Sequence, residues 1–235
     1  MSLVETDWLF RNLDKVKIID CSWHLPQAKR DGLEEYLYQH IPNAIFFDLD
    51  DNSKKDSNLP HMLVNKDNWE SIVSNMGIKK DDKIIIYDNS DVMSSCRCWF
   101  NFIYFGHDPK LVLVLNGGLK KWIKEKRATT KDFPSIQTSK YRSIEKKELV
   151  KNKDFIDQNI NNQNFKIIDA RSRERFDGKV MEPRKGLRSG NIKNSFCIPF
   201  NTFINDDKTF KSKKDIKIIF ETCIKNTNEK NIVFT

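Results

Sequence analysis

The chain contains the same half-domain pattern twice, and this repetition restricts the fold more than any other feature of the sequence. An apolar run, a turn and a second apolar run recur in the same order after about 150 residues. The matched segments are residues 18–21, 40–45 and 83–88 in the first copy and residues 167–170, 191–196 and 231–235 in the second. Because three separate landmarks keep almost one register, the sequence predicts an internal duplication of one structural unit.

Each copy alternates short apolar runs with amphipathic stretches. In the first copy the apolar runs are residues 16–20, 44–47, 83–87 and 111–115, and the amphipathic stretches are residues 8–13, 33–40, 66–76 and 96–105. Short runs that are apolar throughout are typical of buried parallel strands. Gly77 and Gly106 follow two of the amphipathic stretches and are typical helix stop signals. The sequence therefore predicts an α/β fold with two tandem domains, each a parallel sheet flanked by helices.

The composition between the two copies predicts the domain limits. A tight strand-to-helix turn at Gly117 closes the first copy, and the stretch that follows is rich in Lys and Thr and contains Pro134. This composition is typical of a linker. We therefore expect a first domain at residues 1–126, a linker at residues 127–142, and a second domain at residues 143–235 whose sheet is incomplete at its C-terminus.

The composition argues against several classes of protein. Hydrophobic residues make up 38% of the chain, which is enough for packed cores and argues against disorder. No run approaches the ~20 apolar residues that span a bilayer, and the first residues do not form a signal sequence. We therefore expect a soluble, cytoplasmic protein. The net charge of +8 is scattered among acidic residues rather than gathered in a stripe, which argues against a nucleic-acid partner.

The five cysteines support neither a disulfide framework nor a metal site. Their number is odd, no CxxC pair is present, and Cys96 and Cys98 have no second Cys or His pair at ligand spacing. Cys21, Cys197 and Cys223 lie in or beside apolar runs, where we expect buried, unreactive thiols. The sequence predicts no metal and no organic cofactor.

The loop after the apolar run at residues 83–87 is the predicted place for ligand binding, because ligands of parallel sheets bind beyond the carboxyl ends of the strands. This loop covers residues 88–95, and its backbone N–H groups are suited to an anion. It contains no thiol before Cys96. The corresponding loop of the second copy would begin after Thr235.

Several motifs follow one another along the chain in a fixed order. They are residues 20–26 (DCSWHLP), 40–44 (HIPNA), 46–50 (FFDLD), 59–64 (LPHMLV), 116–118 with Trp122, and 182–192 (EPRKGLRSGNI). Together they resemble the two-domain rhodanese family, and within it the 3-mercaptopyruvate sulfurtransferases. The resemblance covers essentially the whole chain, so it is far more specific than any single motif.

The resemblance implies transfer of sulfur from 3-mercaptopyruvate to a thiol or cyanide acceptor through a cysteine persulfide. In the family, the nucleophilic cysteine lies in the loop after the strand that here ends at Thr235. Inward-pointing N–H groups at a helix N-terminus lower the pKa of such a thiol and stabilise the anionic persulfide. None of the five cysteines matches this position. We therefore expect the natural protein to be longer and the 235-residue chain to be inactive.

The resemblance also assigns roles to four residues. Asp50 and His61 match an Asp–His pair that polarises a hydroxyl group, with Asp50 fixing the tautomer of the imidazole. Arg175 and Arg184 match two substrate-binding arginines, and a guanidinium fork is suited to the carboxylate of mercaptopyruvate. Composition alone would favour solvated arginines and a structural histidine at these positions.

Three functions stay open at this point. The first is sulfur transfer from 3-mercaptopyruvate, the second is sulfur transfer from thiosulfate, and the third is a catalytically silent rhodanese-like module that binds a partner. For the two enzymes we expect a small anionic sulfur donor and a thiol acceptor, either a small thiol or a thioredoxin-like protein. We expect no nucleic-acid partner and no membrane partner.

Overall fold

In the residues that the structure describes, two parallel β-sheets are flanked by helices, which confirms the predicted α/β class. The computed structural model describes residues 2–162, 164–183, 186–224 and 231–235. The chain divides after Leu149 into two parts, called here the first unit and the second unit. The domain limits expected at residues 126 and 143 stay a prediction.

The first unit is built on a five-stranded sheet. Its strands are Leu3–Val4 (β1), Lys17–Asp20 (β2), Ala44–Phe46 (β3), Ile84–Tyr87 (β4) and Val112–Leu115 (β5). Its helices are Thr6–Phe10 (α1), Gly32–Tyr38 (α2), Lys66–Asn75 (α3), Ser94–Tyr104 (α4) and Gly118–Lys124 (α5). The strand order is β1-β5-β4-β2-β3, and all neighbouring pairs are parallel. Parallel neighbours require crossover connections, which the helices supply.

Both faces of this sheet are covered by apolar side chains. Along β4, Ile84 and Ile86 belong to one core cluster, while Ile85 and Tyr87 belong to the other. Successive side chains of a strand point to opposite faces, so a strand buried on both faces is apolar throughout. All four side chains are fully buried. This burial explains why the sequence shows continuous apolar runs instead of alternation.

The stretch predicted as a linker packs along the first unit. Thr130 pairs with His40 in an isolated antiparallel bridge, and the N–H of Ser139 donates to the carbonyl of Ser74 at 2.9 Å. Tyr141 is only 1% exposed. The Lys- and Thr-rich composition indicated irregular structure correctly, but it did not reveal that this stretch packs against the first core.

The second unit contains a three-stranded parallel sheet in the described residues. Its strands are Lys166–Asp169 (β6), Phe196–Cys197 (β7) and Ile232–Phe234 (β8), in the order β7-β6-β8. Its helices are Lys153–Asn159 (α6), Arg173–Phe176 (α7) and Lys213–Cys223 (α8). A smaller core forms around Ile168, Ile198 and Ile224.

The two units repeat the same local structure, as the duplicated sequence predicted. Strands β2 and β6 have the same sequence, KIID. Asn43 and Asn194, which precede β3 and β7, both adopt the left-handed conformation, with φ of 65° and 64°. Asn tolerates this conformation better than most residues. The repetition therefore extends to a specific backbone turn.

Candidate functional site

The loop after β4 lies at the carboxyl end of the first sheet and folds around its own aspartate. Asp88 is 5% exposed. Its Oδ1 accepts from the N–H of Ser90 at 3.0 Å, and its Oδ2 accepts from the N–H of Ser95 at 2.7 Å. The N–H groups that the sequence suggested for an anion are therefore used by a carboxylate of the same loop. Burial raises the pKa of this carboxyl, although the N–H donors oppose that shift.

Asp50 and His61 form a hydrogen-bonded pair in the first unit. Nε2 of His61 lies 2.7 Å from Oδ1 of Asp50. The side chain of Asp50 is 66% exposed, whereas that of His61 is 13% exposed. The backbone of His61 is left-handed, with φ of 54°, an uncommon conformation for a residue other than glycine. The structure thus brings together two of the four residues that the resemblance singled out.

Two further side chains contact this Asp–His pair, and the sequence reasoning gave neither of them a role. Nε1 of Trp23 donates to Oδ2 of Asp50 at 2.7 Å, and its ring meets the His61 ring edge-on with centroids 4.7 Å apart. Arg97, on α4, donates to the backbone carbonyl of His61. Trp23 stands in a motif that carried the family resemblance. No signal in the sequence placed it beside Asp50, because the two residues lie in different loops.

A cavity of about 790 Å³ lies in the first unit. Its lining includes Asp51 and Leu63, which are close in sequence to the Asp50–His61 pair, together with Lys55 and Tyr104. This volume is in the range of small-molecule sites.

In the second unit, Arg175 is held by a buried carboxylate. Its Nε lies 3.2 Å from Oε2 of Glu182, and its Nη2 donates to the same oxygen. Glu182 is only 2% exposed in its side chain and also accepts from Nη1 of Arg171 at 2.7 Å. Arg171 in turn donates from Nε to Oδ1 of Asp169 at 3.0 Å. A chain of alternating negative and positive charges therefore begins at the end of β6 and consists of Asp169, Arg171, Glu182 and Arg175.

The fourth predicted residue, Arg184, lies outside the described residues.

Comparison with known proteins identifies the family. The model of the rhodanese-like domain matches residues 5–125, which is more than half of the chain. The chain is 31% identical to the 3-mercaptopyruvate sulfurtransferase of Mus musculus, over 94% of this chain and 76% of that protein. This chain belongs to the rhodanese family.

Further similarities extend over the whole rhodanese chain. It is 36% identical to the mitochondrial thiosulfate/3-mercaptopyruvate sulfurtransferase 1 of Arabidopsis thaliana, over 93% of this chain. The match spans 63% of the length of that relative. The crystal structure of SseA from Escherichia coli, described as a 3-mercaptopyruvate sulfotransferase with the rhodanese fold, superposes with a TM-score of 0.89 at 26% identity. That superposition covers 100% of this chain and 87% of SseA.

The cysteines of this rhodanese chain differ in burial. Cys21 and Cys197 are buried, and burial raises the pKa of both thiols. Burial also raises the pKa of Cys96 to about 12. Cys223, at the end of α8, is exposed, so the expectation that it is buried is wrong. Cys223 lies three residues after Phe220 and four after Ile219, on the same face of α8, but it is the last residue of the helix, where apolar spacing alone does not bury the thiol.

The described part of the rhodanese chain has no candidate metal cluster and no helix that could cross a membrane. It contains no cluster of three or more His, Cys, Asp or Glu side chains that could hold a metal ion. None of its helices is both long enough and apolar enough to cross a bilayer.

Proposed function

We propose that this protein transfers sulfur from 3-mercaptopyruvate to a thiol or cyanide acceptor through a cysteine persulfide. One observation carries the proposal: nearly the whole chain is similar to proteins that are named sulfurtransferases, and several of them are named for 3-mercaptopyruvate. The acceptor we propose is a small thiol or a thioredoxin-like protein, and the reaction takes place in the cytoplasm.

The nucleophile in this proposal is a cysteine in the loop that follows β8, where the family resemblance expects it. The thiolate attacks the sulfur of the donor, the carbon–sulfur bond breaks, and its electron pair leaves with the carbon fragment, which takes up a proton. An acceptor thiolate then attacks the outer sulfur and releases the enzyme thiolate. The raised pKa values of Cys21, Cys96 and Cys197 argue against these thiols as nucleophiles, because the thiolate is the reactive form.

In this proposal Asp50 and His61 move a proton. The 2.7 Å contact between Nε2 of His61 and Oδ1 of Asp50 favours the tautomer that carries its proton on Nε2, since a carboxylate only accepts. Nδ1 is then an acceptor, which can take a proton from a hydroxyl group and return it as the sulfur leaves.

Arg175 and Arg184 bind the carboxylate of the donor in this proposal. Glu182 contacts Arg175 through Nε and Nη2, so the Nη1 edge of the guanidinium is not part of that ion pair. A guanidinium fixed on one edge by a buried carboxylate can offer its other edge to an anionic substrate with little loss of side-chain entropy. This geometry supports a binding role for Arg175.

Two other functions compete with this one. A thiosulfate donor would use the same chemistry, and the name of the Arabidopsis relative includes both donors. The run of residues 60–63 and the two arginines favour mercaptopyruvate by family resemblance. Thiosulfate enzymes favour basic residues in the nucleophile loop, and that loop is the second criterion for the choice of donor. A silent binding module would use the rhodanese fold without turnover.

The deciding experiment uses the protein isolated from its natural source. The protein is incubated with 3-mercaptopyruvate or with thiosulfate, and its peptides are mapped by mass spectrometry for the gain of one sulfur atom. We expect sulfur on a cysteine that follows β8, and more rapidly from 3-mercaptopyruvate. Faster loading from thiosulfate would select the second function, and no loading from either donor would select the binding module.

Fractionation of the source cells tests the compartment, since the Arabidopsis relative is mitochondrial by name.

A further inference from the structure

The loop after β4 of the first unit contains no thiol before Cys96, but it is hydrogen-bonded to the loop that carries Trp23. The hydroxyl of Ser90 donates to the carbonyl of Trp23 at 2.5 Å, and the N–H of Trp23 donates to the hydroxyl of Ser94 at 3.2 Å. Both serines are buried. The backbone of Trp23 is therefore fixed on both sides by side chains of the loop after β4.

Asp88 holds the backbone conformation of the loop after β4. Its carboxylate accepts from the N–H groups of Ser90 and Ser95, so it fixes the loop at both ends of the segment that holds Trp23. The N–H of Asn89 donates to the hydroxyl of Ser22 at 2.9 Å, which ties the two loops together once more. These contacts join two loops that follow neighbouring strands, β2 and β4.

The indole of Trp23, whose backbone is fixed in this way, in turn contacts the Asp50–His61 pair. The side chain of Asp50 is 66% exposed, and an exposed aspartate is free to rotate unless a partner holds it. The indole N–H of Trp23 donates to Oδ2 of Asp50 at 2.7 Å, while Oδ1 of Asp50 lies 2.7 Å from Nε2 of His61. Both oxygens of the Asp50 carboxylate are therefore engaged, which restricts the rotation of this side chain. Arg97, on the helix that follows the loop, also holds the backbone carbonyl of His61.

We propose that Trp23 is a positioning residue that fixes Asp50 and thereby the tautomer of His61, and that the loop at residues 88–95 acts as the scaffold for Trp23. This inference rests on the proposed function, since it assumes that the Asp50–His61 pair moves a proton. The loop at residues 88–95, which contains no thiol, then serves to align the Asp50–His61 pair.

The test uses the 235-residue chain and nitrogen-15 NMR of its histidine and tryptophan side chains. The chain has only four His and five Trp, so the His61 and Trp23 signals can be assigned with H61Q and W23F. In the wild type we expect His61 to show one dominant neutral tautomer, protonated on Nε2. In W23F, which keeps the ring but removes the N–H, the two ring nitrogens should converge toward an average of both tautomers, as in D50N.

A matched control is W99F. Nε1 of Trp99 donates to the carbonyl of Val112 at 3.1 Å, so this variant also loses one indole hydrogen bond, but away from Asp50. Its His61 signals should match the wild type. If W23F reduces folding, S90A provides a second variant, because it keeps the indole and removes one anchor of the Trp23 backbone. We expect S90A to shift the His61 signals in the same direction by a smaller amount.

The outcomes separate the inference from the proposed function. If D50N changes the His61 tautomer and W23F does not, Trp23 does not position the pair and the inference fails. If D50N leaves the tautomer unchanged, the Asp50–His61 pair of the proposed function fails as well.

A kinetic test introduces W23F into the protein as its natural gene encodes it. This variant should lower kcat about 10- to 100-fold, the scale of a misplaced catalytic group, while KM stays unchanged. A change in KM with constant kcat would contradict a positioning role.

Discussion

The carboxylate of Asp88 accepts a hydrogen bond from the backbone N–H of Ser95 at 2.7 Å, so the loop after β4 binds an anion that belongs to its own chain. A helix N-terminus and a turn of N–H groups attract negative charge. In the proposed function, the loop after β8 offers the same kind of environment to a thiolate. In the first copy the N–H groups instead bind a buried aspartate and offset part of the cost of burying its charge.

Replacement of Asp88 by alanine should destabilise the first unit. The change leaves the buried N–H groups of Ser90 and Ser95 without this acceptor, and each unsatisfied donor costs roughly 1–3 kcal/mol. We expect D88A to lower the free energy of unfolding by about 2–4 kcal/mol, measured by urea denaturation. D88N should cost less, because its amide oxygen still accepts.

Asp91 provides the control for this prediction. It lies in the same loop, is 62% exposed, and pairs with Lys120 at 2.8 Å. Exposed ion pairs contribute about 0–1 kcal/mol, so D91A should have a small effect. An equal loss in D88A and D91A would mean that the carboxylate of Asp88 does not hold the loop.

The stability of the chain should depend on the titration of Asp20. This residue is 1% exposed, and burial raises the pKa of its carboxyl from 3.8 to about 6, against the hydrogen bonds from Ser22. The folded state therefore holds the proton more tightly than the unfolded state. Its contribution to stability is fully present below pH 3.8 and is lost as the pH rises through about 6. The expected loss is about 3 kcal/mol.

The measurement compares the wild type with D20N at several pH values. The amide oxygen of Asn can still accept from Ser22, but the side chain does not titrate. The stability of D20N relative to the wild type should therefore increase between about pH 3 and about pH 7 by about 3 kcal/mol. A difference that is constant over this range would show that Asp20 does not titrate there.

Glu182 should contribute strongly to the stability of the second unit. Its hydrogen bond to Arg175 lowers the pKa of its carboxyl, and the charge of Arg171 adds to this. A lowered pKa means that the contribution is present above the ordinary value of 4.5 and is lost as the pH falls through the folded pKa. Loss of one partner from a buried pair costs about 3–5 kcal/mol. Because both arginines are partly exposed, we expect E182Q to cost about 2 kcal/mol.

The matched control for E182Q is E221Q. Glu221 lies in the same unit and pairs with Lys217 at 3.5 Å, but its side chain is 49% exposed. Such a pair contributes about 0.3–0.5 kcal/mol. Thermal unfolding of the two variants should therefore separate them clearly. If E221Q costs as much as E182Q, burial of the Glu182 carboxylate is not what stabilises the arginines.

H61Q and D50N, introduced into the protein as its natural gene encodes it, should each lower kcat for sulfur transfer. The expected loss is about 10²–10⁴-fold, the usual contribution of a general acid–base group. The double variant should be no slower than the slower single variant, since residues that act as a unit are not additive. Steady-state kinetics with 3-mercaptopyruvate measures this. Multiplied losses in the double variant would mean that the two residues act separately.

Much of the architecture could be predicted from local sequence. The continuous apolar runs predicted strands such as β4, because a strand covered on both faces needs no polar residue. Gly77 and Gly106 marked the ends of α3 and α4, and both have positive φ. The stretch at residues 127–142 was harder, because its contacts with α3 and with His40 are long-range and leave no periodic pattern.

The candidate site was predicted only in part. The resemblance singled out Asp50 and His61, and the structure places them in hydrogen-bond contact. Trp23 and Glu182 stood inside recognised motifs without a role, since a motif shows which residues recur and not which atoms they touch. The exposure of Cys223 was missed because the apolar spacing of α8 does not show where the covered part of the helix ends, and Cys223 is its last residue.

The sequence by itself determined the duplication, the α/β class and the family, because these depend on periodicity, order and motifs that are local to the chain. Only the tertiary structure decided which polar groups meet: Asp88 with its own loop, Trp23 with Asp50, and Glu182 with two arginines. The physical reason is that hydrogen bonds and ion pairs act over about 3 Å, and only the folded chain brings residues from separate loops to that distance.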